Sequence, residues 1–285
     1  MAKPEHVASE PVDIAKEPLR VLVFGAHPDD AEVYAAGLLV RQSRLGHQVK
    51  IVSVTDGRNG HHELPPDELV RVRRAEAERA GKRIGAEYVV WDFPDGALEA
   101  TLKVRWAIIS EIRRFAPDLV LTHRPNDYHP DHRAVGTAVQ DASYLVTVPH
   151  ICPEIPALRV DPVVAYMCDL FTRPAPLQPD VLLDISAEFD VAVQMAACHE
   201  SQFFQWLPWH DGILDQVPQA ASPRFEWLCS WFSQLHQQRR EHFQAAIVAR
   251  GLALEEQLAI EVYEVSQYAG KADEQRLSRL FPGML

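Results

Sequence analysis

The chain alternates short apolar runs with longer amphipathic segments from Leu19 to about Tyr144. Uninterrupted apolar, β-branched runs are typical of buried strands and predict strands at 20–26, 50–55, 88–91 and 119–123. Helical spacing of apolar residues predicts helices at about 31–45, 66–84 and 102–115, and a further helix from about Asp131. This β-α-β-α order predicts an α/β fold, a Rossmann-like, mostly parallel sheet flanked by helices.

The composition changes after Thr147, where prolines become frequent. Two more strand-like runs lie at 163–167 and 181–185, and helices are predicted at about 188–204 and 224–250. An aromatic, Pro-rich loop separates those helices. We predict three regions: a disordered lead-in at 1–18, a Rossmann-like catalytic core at 19–147, and at 148–285 the completion of the sheet with a helical and loop cap of the same domain.

The charge and the cysteine content limit the binding partners and the cellular compartment that we expect for the protein. The net charge of −12, without a basic patch, argues against binding of nucleic acid or of an anionic membrane surface. No apolar stretch is long enough to span a bilayer, and the first eighteen residues lack the apolar core of a signal peptide. Four widely spaced cysteines are typical of reduced thiols, so we expect a cytoplasmic protein.

Two clusters of His and Asp each follow a predicted buried strand. The first is His27-Pro28-Asp29-Asp30, and the second is His129-Pro130-Asp131-His132. Ligands in open α/β sheets bind just beyond the carboxyl ends of the strands, so the two clusters predict one metal site built from two loops. Taken singly, either loop has a structural explanation, because Asp30 and Asp131 could each cap a helix.

The residue types suggest roles in a hydrolytic site. His27, Asp30 and His132 offer the imidazole and carboxylate ligands of a catalytic zinc site with an open position. Asp29 could accept a proton from water as general base. His129 could stabilise an oxyanion or protonate a leaving amine, and Asp131 could hold a ring N–H of His129 and favour its cationic form.

These residues carry a resemblance to a known family. Ala26–Asp30 and His129–His132 resemble the two hallmark motifs of the PIG-L/LmbE-like family of zinc-dependent N-acetylglucosaminyl deacetylases. Arg73–Glu76 and Phe93–Leu98 resemble two further family segments, and the likeness runs from residue 19 to about 205. The resemblance implies a hydrolase that removes acetyl from an N-acetylglucosamine-type small molecule or oligosaccharide. It also implies the zinc ligands, the general base and the role of His129 that are given above.

The resemblance also suggests that Arg73 and Asp95 contact substrate hydroxyls. The alternatives are a helix-surface arginine and a turn-forming aspartate. Fe²⁺ would accept the same ligands as Zn²⁺, so the native metal is open. The sequence does not decide whether the chain forms a homo-oligomer. It also does not decide the roles of Trp206, Trp209 and His199, or whether residues 200–222 act as a lid.

Two other functions compete with the deacetylase. The first is an amidase that acts on a thiol conjugate or another N-acyl small molecule with the same residues. The second is a sugar-binding protein without catalysis, which the complete set of ligands and base disfavours. Neither the aglycone nor the acyl group of the substrate follows from the sequence.

Overall fold

A computed structural model describes residues 17–285, so the predicted lead-in lies outside the described residues except for its last two. Seven strands form one sheet in the order β3-β2-β1-β4-β5-β7-β6. Their bounds are β1 (Arg20–Gly25), β2 (Gln48–Thr55), β3 (Glu87–Phe93), β4 (Leu119–Thr122), β5 (Val163–Met167), β6 (Val181–Asp184) and β7 (Ile260–Val265).

The first five strands pair in parallel, and β7 runs antiparallel between β5 and β6. The predicted α/β class with a mostly parallel sheet is confirmed. The chain proceeds from β1 outward to β3, then returns to place β4 on the other side of β1. Such a reversal opens a cleft at the carboxyl ends of the two central strands, where ligands bind in folds of this kind.

Helices cover both faces of the sheet. Their bounds are α1 (Asp30–Tyr34), α2 (Ala36–Arg44), α3 (Pro66–Arg83), α4 (Leu102–Phe115), α5 (Pro130–Leu145), α6 (Phe189–Ala196), α7 (Leu207–His210), α8 (Ala221–His242), α9 (Gln244–Ala249) and α10 (Glu274–Leu280). A π-helical turn, Gln202–Trp206, precedes α7 directly. In the described part of the chain, no helix is both long and apolar enough to cross a bilayer.

Strand β1 shows why the sheet is buried on both faces. Val21 and Val23 belong to one hydrophobic cluster, while Leu22 and Phe24 belong to another on the opposite face. All four side chains are fully buried. In a central parallel strand, successive apolar side chains are expected to enter two cores, one on each face of the sheet.

Several predicted elements are corrected. The helix expected at 31–45 is two helices, because Ala35 leaves helical geometry with φ −143°. The helix expected at 188–204 ends at Ala196, and the π-helical turn follows. The helix expected at 224–250 is α8 followed by α9, while β7 and α10 were not predicted. The division at residue 147 stays a prediction.

Candidate metal and catalytic site

The two predicted clusters meet at the carboxyl ends of β1 and β4. His27 Nδ1 lies 3.3 Å from His132 Nε2 and 3.7 Å from Asp30 Oδ2, and His132 Nε2 lies 3.4 Å from Asp30 Oδ1. Tetrahedral zinc bonds of about 2.0–2.1 Å place ligand atoms about 3.3 Å apart. These three side chains therefore fit a zinc ion in both chemistry and spacing.

The same cluster contains further candidate ligands. Three overlapping groups bring one ligand atom of each member within 4.8 Å of the others: His27, His129 and His132; Asp30, His123 and His132; and His27, Asp95 and Asp131. His27 and His132 each belong to two of these groups, and Asp30 belongs to one. The arrangement concentrates donors around the three ligands that the sequence predicted.

Each predicted ligand has a partner that orients it. His27 Nε2 lies 3.2 Å from Asp95 Oδ1 and 3.4 Å from Asp131 Oδ2. His132 Nδ1 lies 3.1 Å from Asp127 Oδ1. A carboxylate on the far ring nitrogen fixes the tautomer of a ligating histidine and makes it a better donor.

Asp30 has two partners of its own. Its Oδ2 accepts the backbone N–H of His27 at 2.8 Å and lies 2.9 Å from Nε2 of His123. His123 stacks on His132 with ring centres 3.9 Å apart. The roles of Asp127 and His123 were not predicted, although both residues lie in the loop that carries the second cluster.

The electrostatics of the cluster favour a cation. Burial alone would lower the pKa of His27, but the carboxylates of Asp131 and Asp95 raise it to about 10. Burial likewise opposes the charge of His132, and Asp30 and Asp127 raise the pKa of His132 to about 9. A pocket that stabilises positive charge this strongly also suits a divalent ion.

Asp29, the predicted general base, sits at the edge of this cluster. Burial raises its pKa to about 6, against the opposing charge of Arg73. Its Oδ2 accepts a 2.9 Å hydrogen bond from Arg73 Nη2, and its backbone N–H donates to the Tyr88 hydroxyl at 3.2 Å. The backbone of Asp29 has φ 141°, a conformation that L residues rarely adopt.

Arg73 and Asp95 line the cavity, but their polar atoms contact protein groups. Arg73 is only 2 % exposed and donates to Asp29 Oδ2 and to the Pro28 carbonyl oxygen, because a buried guanidinium needs acceptors. Asp95 Oδ2 accepts the Asn59 N–H at 3.0 Å, and Oδ1 faces His27. Arg73 is therefore not a helix-surface residue, and the predicted contacts with substrate hydroxyls stay predictions.

The structure corrects the predicted partnership of Asp131 with His129. Asp131 is fully buried, and its carboxylate accepts the N–H groups of Gly96 at 2.7 Å and Leu98 at 3.2 Å while facing His27. His129 caps helix α5: its Nδ1 accepts the backbone N–H of Asp131 at 3.2 Å. Burial, together with His27 and His132, lowers the pKa of His129, so its neutral form is favoured rather than the cation expected.

A cavity of about 510 Å³ opens over these groups. Trp206 lines it, whereas Trp209 is 47 % exposed and stacks on Trp206, with ring centres 5.3 Å apart, and on His62, 4.8 Å away. His199 does not line the cavity; it is fully buried 3.3 Å from Glu32 Oε1. Whether residues 200–222 close over the cavity stays a prediction.

The sequence is similar to a known family and to known proteins. Residues 22–143 match the family model described as PIG-L, GlcNAc-PI de-N-acetylase. Diacetylchitobiose deacetylase of Thermococcus kodakarensis is 28% identical over 209 residues, which cover 71% of this chain and 76% of the relative. Mycothiol S-conjugate amidase of Streptomyces coelicolor is 28% identical over 140 residues, 40% of this chain and 48% of the relative.

Two solved structures share the fold. N,N'-diacetylchitobiose deacetylase from Pyrococcus horikoshii superposes with a TM-score of 0.69 at 20% identity, covering 89% of this chain and 85% of the other. GalB, the 4-carboxy-2-hydroxymuconate hydratase from Pseudomonas putida, superposes with a TM-score of 0.68 at 20% identity. The match covers 90% of this chain and 98% of the other. Because one is a deacetylase and the other a hydratase, the reaction must be argued from the site.

Proposed function

We propose that the chain is a zinc-dependent hydrolase that removes acetyl from an N-acetylglucosamine-type substrate, and the match of residues 22–143 to the PIG-L family model supports this. The observation that carries the proposal is the convergence of His27, Asp30 and His132 at 3.3–3.7 Å beside Asp29. The deacetylase relative from Thermococcus kodakarensis supports the substrate class.

The residues divide the work of amide hydrolysis. A bound zinc ion would activate water for attack and polarise the amide carbonyl. Asp29, held by Arg73, accepts the proton that the attacking water loses and later returns it to the leaving amine. Arg73 and the Tyr88 hydroxyl keep the carboxylate and the backbone of Asp29 in place for both transfers.

His129 lies beside the metal ligands, with its ring centre 4.5 Å from that of His27. Because Nδ1 accepts the Asp131 N–H, the proton of the neutral ring lies on Nε2, which makes Nε2 a hydrogen-bond donor. We assign His129 to stabilise the oxyanion of the tetrahedral intermediate through that N–H. A neutral imidazole that donates from Nε2 is better suited to stabilising the oxyanion than to protonating the leaving amine as a general acid.

The proposal is tested by measuring amine release from a panel of N-acetylglucosamine derivatives with zinc-loaded and chelated protein. We expect metal-dependent release, and a loss of 10²- to 10⁴-fold in kcat for Asp29→Ala, the range typical of a general base. Asp92→Ala removes an exposed carboxylate of β3 and serves as the matched control. Near-normal turnover by Asp29→Ala would show that another group is the base.

An amidase of a thiol conjugate is the second candidate, favoured by the mycothiol S-conjugate amidase relative. The same assay separates the two functions when thiol-conjugate amides are included in the panel. Sugar binding without release of amine from any compound, despite bound zinc, would instead indicate a non-catalytic binding protein. Comparison of the zinc-loaded and Fe²⁺-loaded protein in the same assay shows which metal supports the reaction.

A further inference from the structure

The cavity has two chemically different walls. The polar wall is formed by the loops after β2 and β3 with α3 and part of the π-helical turn, and its residues are Asn59, Gly60, Arg73, Asp95, Gly96 and Gln202. We call a second set of lining residues the apolar wall; it consists of Val33, Phe203, Leu207, Trp231 and Leu235. All five apolar side chains belong to one hydrophobic cluster, so the wall is continuous.

The apolar wall begins at the catalytic groups. Val33 lies three residues after Asp30 on α1, and its backbone N–H donates to the Asp29 carbonyl oxygen at 3.1 Å. Phe203 and Trp231 continue the wall, with ring centres 5.6 Å apart. A group bound against this wall would therefore extend directly from the reacting amide.

The polar requirements of an acetylated sugar do not account for this wall. Sugar hydroxyls need hydrogen-bond partners, and the side chains of the apolar wall offer only the indole N–H of Trp231. The π-helical turn, α7 and α8 contribute no charged side chain to the cavity. Val33, Leu207, Trp231 and Leu235 remain only half-buried, and such apolar surface gains free energy when a ligand removes it from water.

We propose that the substrate carries an alkyl or aryl group larger than acetyl and that this group binds against the apolar wall. The inference rests on the proposed function, since it concerns the substrate of the same site. The group could be the acyl chain on the scissile nitrogen or the aglycone of the sugar. Both sources share the same chemistry, and the experiment separates them.

The test uses two series of substrates with the zinc-loaded protein. One series is N-acetyl-, N-butyryl- and N-hexanoylglucosamine, and the other is methyl, butyl and hexyl glycosides of N-acetylglucosamine. We expect kcat/KM to rise at least about tenfold from the shortest to the longest member of one series, because each buried methylene contributes about 0.8 kcal/mol. The series that responds identifies the source of the group.

Two neighbouring tryptophans provide a matched pair of variants. Trp231→Ala should lower the ratio of kcat/KM between the longest and shortest members at least fivefold, and Leu235→Ala should lower it in the same direction. Trp227, one turn earlier on α8, lines a small adjoining depression that shares Trp231 but does not line the cavity itself, so Trp227→Ala should leave the ratio unchanged. Equal kcat/KM across both series, with turnover intact, overturns the proposal but not the proposed function.

A binding measurement keeps the inference independent of turnover. If no compound is hydrolysed, the proposed function fails, and calorimetric titration with the shortest and longest members of both series decides whether the wall binds such a group. At least tenfold tighter binding of the longest member of one series, lost in Trp231→Ala, supports the inference, and equal binding within both series overturns it. A dimer that Leu235→Ala dissociates, without dependence on chain length, would show that a second copy covers the wall instead.

Discussion

Asp29 combines two features that a protein rarely places on one residue, a largely buried carboxylate and a backbone with φ 141°. Conformations of this kind cost about 1–3 kcal/mol for a residue with a Cβ atom. The Tyr88 hydroxyl and the Arg73 guanidinium hold the residue in place. These two contacts offset the strain and keep the candidate base close to the metal ligands.

This strain predicts an unusual order of stabilities. Asp29→Gly and Asp29→Ala both remove the carboxylate, but only glycine adopts φ 141° without strain. We therefore expect Asp29→Gly to be about 1 kcal/mol more stable than Asp29→Ala in urea unfolding of the metal-free protein. Ala75→Gly, at an exposed position of α3, should show the opposite sign. Equal stability of the two Asp29 variants would mean that the backbone relaxes.

At the residue scale, the sequence predicted the groups whose signal is local. His27, Asp29 and Asp30 stand together after a strand, and His129 to His132 do so again. The partners of these groups could not be predicted from the sequence. The contact of His123 with Asp30, for example, spans 93 residues and depends on the order of the strands. The link from Asp131 to His129 was wrong in detail, since the nearer backbone N–H groups of Gly96 and Leu98 take the Asp131 carboxylate.

At the scale of elements, the site depends on the close approach of α5 to the end of β4. Gly136 of α5 packs against the backbone of His123 and Arg124, and a Cβ atom there would collide with the His123 carbonyl oxygen. His132 lies one turn earlier on the same helix. The distance between helix and strand therefore sets the distance of His132 from His27.

Gly136→Ala should separate α5 from β4. We expect it to lower the free energy of unfolding by about 1–3 kcal/mol and to weaken zinc binding at least tenfold. Gly37→Ala is the matched control: its Cβ would collide with Ile185, away from the cavity, so it should destabilise the protein without weakening zinc binding. Zinc titration by calorimetry and urea unfolding measure the two effects. Unchanged zinc affinity in a destabilised Gly136→Ala would refute the coupling.

Element prediction failed where tertiary contacts override local pattern. Strand β7 contains Glu261, a residue that weakens any apolar signal, yet its carboxylate is buried. It accepts the N–H groups of Gly37 and Leu38 at 2.7 and 2.9 Å, at the start of α2, and the Tyr263 hydroxyl at 2.7 Å. Gly37 and Leu38 lie more than 200 residues from Glu261 in the sequence. The sequence alone therefore could not show that the buried carboxylate of Glu261 has hydrogen-bond donors.

At the scale of the whole molecule, His236 lies where α8 packs on the sheet. It is almost fully buried on α8, and its Nδ1 contacts the Ile260 backbone in β7. Burial, reinforced by Arg239, lowers the pKa of His236 to about 3. Between about pH 6.5 and pH 3, the unfolded chain binds a proton that the folded chain excludes.

The protein should therefore lose stability as the pH falls below about 6.5. One such group contributes a loss of up to about 1.4 kcal/mol per pH unit in the free energy of unfolding. Urea unfolding at pH 7, 6 and 5 should show a shallower decline in His236→Gln than in the native protein. His150→Gln, at an exposed position, should keep the native slope. Identical slopes in all three proteins would show that His236 is protonated in the folded state.

The two walls of the cavity come from different stretches of the chain. All candidate ligands and the base lie within residues 22–143, whereas most of the apolar wall lies between residues 203 and 235. Mutation can therefore reshape the wall while the chemistry stays intact. In evolutionary terms, a lineage built on this plan could exchange one amide for another through a series of active ancestors, without passing through an inactive one.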